Sequence, residues 1–179
     1  MKKLVALFSA LLLSLALAAF IGCEEEKGSA LEGSVTVVLD KGEGAENRYT
    51  EFTLDLAEAG LTTADHAIDV LEALKEREGL YYSGTYTSSF GAYLTEIGTE
   101  TPAENPSYEG ETVQTPILKA EGSSYIALYT SDIDEGNPDA DSYGGTIEYE
   151  GVSVYYAMLG VSSLSLSGGA VYYFMLSSY

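Results

Sequence analysis

The stretch TTADHAIDVLEALKERE, Thr62 to Glu78, decides how the chain is read. Ala64, Ala67, Ile68, Leu71 and Leu74 recur at helical spacing and form one apolar stripe on an otherwise charged segment. Thr62 or Thr63 can cap the helix start, where Asp65 suits the positive end of the helix dipole. Lys75 and Arg77 suit the opposite end, and Gly79 can take the left-handed position that stops the helix. A helix with one apolar stripe has to cover another layer, so the rest of the chain must supply a sheet.

The flanking residues do so. In Ser34-Val-Thr-Val-Val-Leu39, Val35, Val37 and Leu39 share one face of a strand. Asp40 to Asn47 (DKGEGAEN) reads as a loop, and Arg48 to Leu56 alternates Phe52, Leu54 and Leu56 with Glu51, Thr53 and Asp55. Together they predict an opening hairpin. After the helix, Leu80–Tyr86, Gly91–Gly98, Ser124–Thr130, Thr146–Tyr149, Val152–Met158 and Ala170–Leu176 read as strands. Thr146–Tyr149 and Val152–Met158 face each other across a turn at Glu150-Gly151. Thr99 to Thr115, with Pro102, Pro106 and then Pro116, reads as a long surface loop. Ser131 to Ser142 reads as an acidic loop. The expected class is α+β, with a hairpin, one helix and then several strands in a mixed or antiparallel sheet. That order is β-grasp-like.

The start of the chain bears on location. Lys2 and Lys3 precede an uncharged apolar run of 18 residues, Leu4 to Ile21, and Glu24-Glu25-Glu26 follows Gly22-Cys23. A basic start, an apolar run and small residues at its end read as an export signal. Phe20-Ile21-Gly22-Cys23 resembles the lipobox of bacterial lipoproteins, with Phe20 departing from the usual Leu. That resemblance implies cleavage after Gly22 and a lipid on Cys23. An uncleaved anchor of near-minimal length or an ordinary cleaved signal are the competing readings. Cys23 is the only cysteine, so no intrachain disulfide is possible, and acylation gives it a role. Each reading puts everything after Glu24 outside the cytoplasm. The expected organisation is a signal peptide at 1–22, a lipidated Cys23 with a flexible tether through Gly33, and one domain at 34–179.

The chain of 179 residues carries a formal charge of −20, which becomes −22 once Lys2 and Lys3 are removed. Such a surface repels phosphate backbones, which argues against nucleic acid as a partner. It also offers no polybasic patch to anionic lipid, so the membrane link rests on the N-terminus. The 15 Tyr, 19 Gly and absence of Trp fit a β-rich extracellular domain.

From about Val35 to Leu176 the chain resembles the family of small extracellular domains related to the C-terminal domain of transcobalamin and intrinsic factor. Ala67, Ile68, Leu71 and Leu74 match that family's helix after the hairpin. Gly91, Tyr93, Leu94, Ile97 and Gly98 match its Gly-x-Tyr-hydrophobic-x-x-Ile-x-Gly segment. Tyr125 to Tyr129 stands where the family often has Trp-x-x-Tyr, and Gly160-Val161 and Ser165–Phe174 stand at its closing stretch. Tyr125 replaces the Trp, the Asn-Gly turn after Tyr129 is missing, and Gly168-Gly169 replaces Gly-Asp. The resemblance implies a binding module. Its family-suggested ligand is a corrinoid, although the helical partner domain that holds the corrinoid is absent here.

The residues themselves show no converging catalytic set. His66, the only His, falls on the helix and lacks a nucleophile elbow to serve, so it reads as a surface residue. The many carboxylates leave a carboxylate-dependent hydrolase as a minor alternative, and no pair among them stands out. Asp139, Asp141 and Glu150 fall at positions 1, 3 and 12 of a calcium-loop pattern. Tyr143 occupies position 5 and Ile147 comes one place late, so the segment reads as a solvated acidic loop. Tyr81-Tyr82, Tyr155-Tyr156 and Tyr172-Tyr173 are adjacent pairs within strands, so the members of each pair point to opposite faces. Their outward members are expected to share one sheet face and form an aromatic platform for a planar molecule or glycan, although strand preference alone also enriches Tyr. The expected function is a lipid-anchored binding module, not an enzyme and without a cofactor of its own. The alternatives are a corrinoid-like capture accessory for uptake and a structural envelope protein that meets a partner through a sheet edge.

Overall fold

The Val-rich segment and its alternating neighbour pair as expected. In the computed structural model, which describes residues 28–87, 89–102, 112–137 and 145–178, β1 (Ser34–Asp40) and β2 (Tyr49–Asp55) are antiparallel, with Val37 opposite Phe52. Asp40 locks the connection. It accepts hydrogen bonds from Arg48 Nε at 2.8 Å, Arg48 Nη2 at 2.7 Å and the Gly42 N–H at 2.8 Å. A four-residue helix, α1 (Leu56–Ala59), follows where the sequence suggested only the strand's end. Asp55 caps it by accepting from the Glu58 N–H.

The main helix, α2, runs from Ala67 to Glu78 and begins later than the apolar spacing suggested. Thr62 and Thr63 do not cap it. Both the Thr62 N–H and its hydroxyl donate to the Asp65 carboxylate, closing a separate turn. His66 is held extended by a bridge to Ser165, so the helix starts one residue on, and Asp69 accepts the His66 N–H at 2.8 Å. Ala64 thus leaves the stripe and Val70 joins Ala67, Leu71 and Leu74 in the core. Gly79 ends the helix at φ 67°.

β3 (Leu80–Thr87), β4 (Gly91–Pro102) and β5 (Thr112–Lys119) form a three-stranded antiparallel sheet. The long loop expected over Thr99–Thr115 is therefore corrected. Thr99 pairs with Thr115 and Pro102 with Thr112, while residues 103–111 lie outside the description. The prolines misled the expectation because Pro116 lies on edge strand β5 and Pro102 ends β4 beyond its last pair with β3, Leu80–Thr99, so each has a neighbouring strand on one side only. β6 (Ser124–Thr130), β7 (Gly136–Asn137), β8 (Thr146–Tyr149), β9 (Val152–Ala157) and β10 (Val171–Ser178) complete the described strands. β8 and β9 meet across Glu150-Gly151 as expected. Both turn residues have positive φ, 49° and 82°, which matches the right-handed twist of a tight hairpin.

These strands and the first hairpin make a seven-stranded mixed sheet of order β2-β1-β10-β6-β9-β7, with β8 on β9. β1 and β10 run parallel at its centre, with Val37 opposite Tyr172. One face packs against α2 and the smaller sheet through Val35, Val37, Leu39, Leu71, Leu74, Ile97 and Phe174. The other face carries a second core built on Val38, Tyr129, Tyr149, Val154 and Tyr173. The fold is thus α+β, dominated by strands.

Residues 29–33, expected to belong to a flexible tether, are tied to the domain. The Leu31 N–H bonds the Leu61 carbonyl, Ser29 and Thr63 bond each other, and Leu31 packs on the core. Leu31 gives this segment something to bury. Cys23 and the expected signal segment, 1–22, lie outside the described residues. No helix among the described residues is long and apolar enough to cross a membrane.

Candidate functional site

The site follows from where the chain leaves the large sheet. β9 pairs with β6 only at Tyr129–Tyr156 and Thr130–Tyr155, and with β7 at Gly136–Ala157. Beyond Ala157 the chain is taken over by the small sheet. The Gly160 N–H bonds the Phe90 carbonyl at 2.5 Å, and the Val161 N–H bonds the Ala92 carbonyl at 3.0 Å. Only glycine fits here, since a Cβ on residue 160 would stand 2.4 Å from the Ala92 oxygen. The divergence of β6 from residues 157–161 leaves a cleft between the sheets of about 370 Å³.

The lining comes from β4, β6, β9, β10 and the segment after β9. Leu94, Ile126, Leu128, Leu159, Val161 and Phe174 supply an apolar surface, and Tyr93, Tyr125 and Tyr156 supply aromatic walls. Among the described residues no charged side chain lines it. Tyr93 is 43% exposed and stands at the mouth. An adjoining recess of about 230 Å³ is shared by Tyr93, Tyr156 and Ala157 and adds Asn137 and Met158, the latter 52% exposed. Tyr156 is central. Its ring meets Tyr129 edge-on at 5.5 Å and 87°. Burial pushes its hydroxyl pKa up to about 12, helped by the charge and hydrogen bond of Tyr125 and by nearby Tyr129 and Tyr93. Three tyrosines therefore border the cleft, and Tyr129 lies behind Tyr156 in the second core, against which Tyr125 and Tyr156 also pack.

The expected platform of paired tyrosines is not what the fold builds. Tyr81 and Tyr82 are in the small sheet and the other pairs in the large one. Tyr81 is buried and donates to Glu96 Oε1 at 2.8 Å, and burial followed by Glu96 pushes its pKa up to about 12. Tyr82 donates to Glu72 Oε1 at 2.5 Å. Tyr172 and Tyr173 do point to opposite faces, but both faces of β10 are covered and both rings are buried. Tyr172 donates to the Ser165 carbonyl, and Tyr173 to Asp40 Oδ2 at 2.5 Å. Tyr155 is half-buried and pairs with Thr130 and Thr146. Of the six, only Tyr156 reaches the cleft. Its partners Tyr93 and Tyr125 were not singled out as site residues, because neither stands next to another Tyr in sequence. Their signal was position, with Tyr93 between Ala92 and Leu94 and Tyr125 before Ile126.

Behind the large sheet lies a polar knot. Asp40 is 2% exposed. Burial pushes its carboxyl up, but hydrogen bonds from Arg48, Tyr173 and the Gly42 N–H outweigh this and hold the pKa below the ordinary carboxylate value. The Arg48 guanidinium lies over the Tyr49 ring at 5.0 Å. Tyr49 and Tyr149 pack around Tyr173, and the Tyr149 hydroxyl is buried near Glu51 without a well-formed hydrogen bond. The enclosure and internal pairing of this knot mark it as structural.

His66 is the residue before the helix, and Glu150 is exposed in the β8–β9 turn. Asp139 and Asp141 lie outside the described residues. Among the described residues no group of three or more His, Cys, Asp or Glu side chains could hold a metal ion.

Comparison with known proteins finds no matching family model and no matching curated protein. Among solved structures, the chain is similar to a suggested metal-binding protein of Ruminococcus gnavus ATCC 29149, with a TM-score of 0.44 and 13% identity over 83% of this chain and 99% of that one. A likeness that weak carries no argument about ligand or function.

Proposed function

We propose that this chain is a lipid-anchored, extracytoplasmic binding module of β-grasp-like topology, and that the cleft between its sheets is the binding site. The cleft carries the proposal. It falls at the low end of the roughly 300–1,000 Å³ typical of ligand pockets, and it combines an apolar lining with a few tyrosine hydroxyls. Support for the topology comes from the parallel central strands β1 and β10, flanked by β2 and β6 with α2 across one face. The likeness to transcobalamin C-terminal domains belongs to the same reading. A corrinoid is far larger than the cleft and would be gripped only by an edge. The sheet-edge alternative has less in its favour, because Glu51 and Asp55 lie on edge strand β2 and Pro116 and Lys119 on edge strand β5, devices that discourage strand addition.

The cleft is tested by two-dimensional NMR with a small fragment set. Shifts should concentrate at Tyr93, Leu94, Tyr156 and Leu159. Shifts scattered over the surface, or centred on Tyr82 and Tyr155, would sink the assignment. The anchor is tested separately. Cys23→Ala should abolish labelling by a fatty-acid probe and leave the precursor uncleaved, and unchanged labelling would rule the anchor out.

A further inference from the structure

The geometry points to a small alkylated ammonium ion, of the quaternary ammonium class, as the ligand of the inter-sheet cleft; this rests on the cleft being the binding site. The walls come first. Tyr93, Tyr125 and Tyr156 line the cleft, and Tyr129 backs Tyr156 edge-on at 5.5 Å. Aromatic rings attract cations electrostatically through their quadrupole within about 6 Å, more strongly where water is excluded. The same molecule already uses a tyrosine this way, with Arg48 seated 5.0 Å over Tyr49.

The lining then selects among cations. Among the described residues no carboxylate faces the cleft, so a primary ammonium or guanidinium would lose its hydration and find no charged acceptor among them in return. An alkylated ammonium has few or no N–H groups to satisfy, and its methyl groups suit Leu128 and Leu159. Charge excludes the opposite sign. The chain carries a formal charge of −20, and no Lys or Arg among the described residues lines the cleft, so an anion would be repelled at long range and find no cation among them on arrival. A neutral ligand of the same shape would gain nothing from the field or from the rings' quadrupoles. The adjoining recess, with Asn137 and Met158, leaves room for a short polar tail.

The test compares choline with 3,3-dimethylbutan-1-ol, its uncharged isostere, by NMR titration of the whole secreted domain. Choline should bind about tenfold tighter or more, as expected of a desolvated cation–aromatic contact. Its affinity should also fall as salt is raised, because the long-range field is screened. Tyr93→Ala, at a partly exposed position, should weaken choline about fivefold or more while leaving the melting temperature unchanged. Equal binding of the two probes, or a Tyr93→Ala protein that binds choline as well as wild type, would overturn the cation assignment and leave the cleft standing. Failure of both probes would also overturn it, and the fragment map would then decide the cleft by itself.

Discussion

Asp40→Ala should destabilise the domain by about 3 kcal/mol, measured by urea or thermal unfolding. Asp40 joins three neighbours in one buried spot. Its carboxylate takes two bonds from Arg48, one from the Tyr173 hydroxyl and one from the Gly42 N–H. Arg48 is 37% exposed at its side chain and can turn to water. Tyr173 is fully buried and cannot, so its hydroxyl would be left unsatisfied, which by itself costs roughly 1–3 kcal/mol. Asp40→Asn, which keeps an acceptor, should lose less.

The pH dependence has a definite sign. The Asp40 pKa is lowered in the fold, so its contribution is present above the unfolded value near 4 and is lost as pH falls through the folded value. The gap between wild type and Asp40→Ala should therefore be flat from about pH 5 to 9 and shrink in acid. Tyr173 acts in the opposite direction. Burial and the Asp40 contact raise its pKa, so its contribution holds below about pH 10 and is lost as pH rises beyond that. A variant as stable as wild type at pH 7, or a gap that widens below pH 4, would refute this account of the knot.

Much of the fold was legible in the sequence because it is set locally. Val35, Val37 and Leu39 declared one face of β1, and Gly79 ended α2 where expected. What was missed depended on partners distant in sequence. The helix start moved to Ala67 because Ser165 holds His66 extended, a contact that no local pattern near Thr62 announces. The Thr99–Thr115 expectation failed because a proline is excluded only where ladders run on both sides; Pro116 sits on edge strand β5 and Pro102 beyond the last β3–β4 pair, and those placements are properties of the assembled sheet. The tyrosines show the same limit. Alternation correctly sent Tyr172 and Tyr173 to opposite faces, but only the placement of β10 between β1 and β6 says that both faces are covered. The cleft was not legible at all. It exists because pairing of β9 with β6 stops after two residue pairs and Gly160 carries the chain across to β4.

That crossing point should tolerate no side chain. Gly160→Ala is expected to cost about 2–3 kcal/mol, through overpacking rather than backbone strain. Gly160 is not in the left-handed region, so alanine could adopt its backbone angles. The obstacle is contact. The new Cβ would meet the Ala92 oxygen at 2.4 Å and its carbonyl carbon at 2.9 Å, and these are backbone atoms that cannot swing aside. Relief requires residues 160–161 to move off β4, which breaks the bonds from Gly160 to Phe90 and from Val161 to Ala92. The shift would also disturb the Ile68 N–H bond to the Val161 carbonyl, and with it the first turn of α2. Because Gly160 and Val161 line the cleft, binding should weaken along with stability. Thermal melts and amide hydrogen exchange separate the two effects. The Val161 amide should lose protection by more than amides in β1 and β10. A melting temperature within a degree of wild type, with Val161 still protected, would show that the strap between the sheets is looser than its geometry implies.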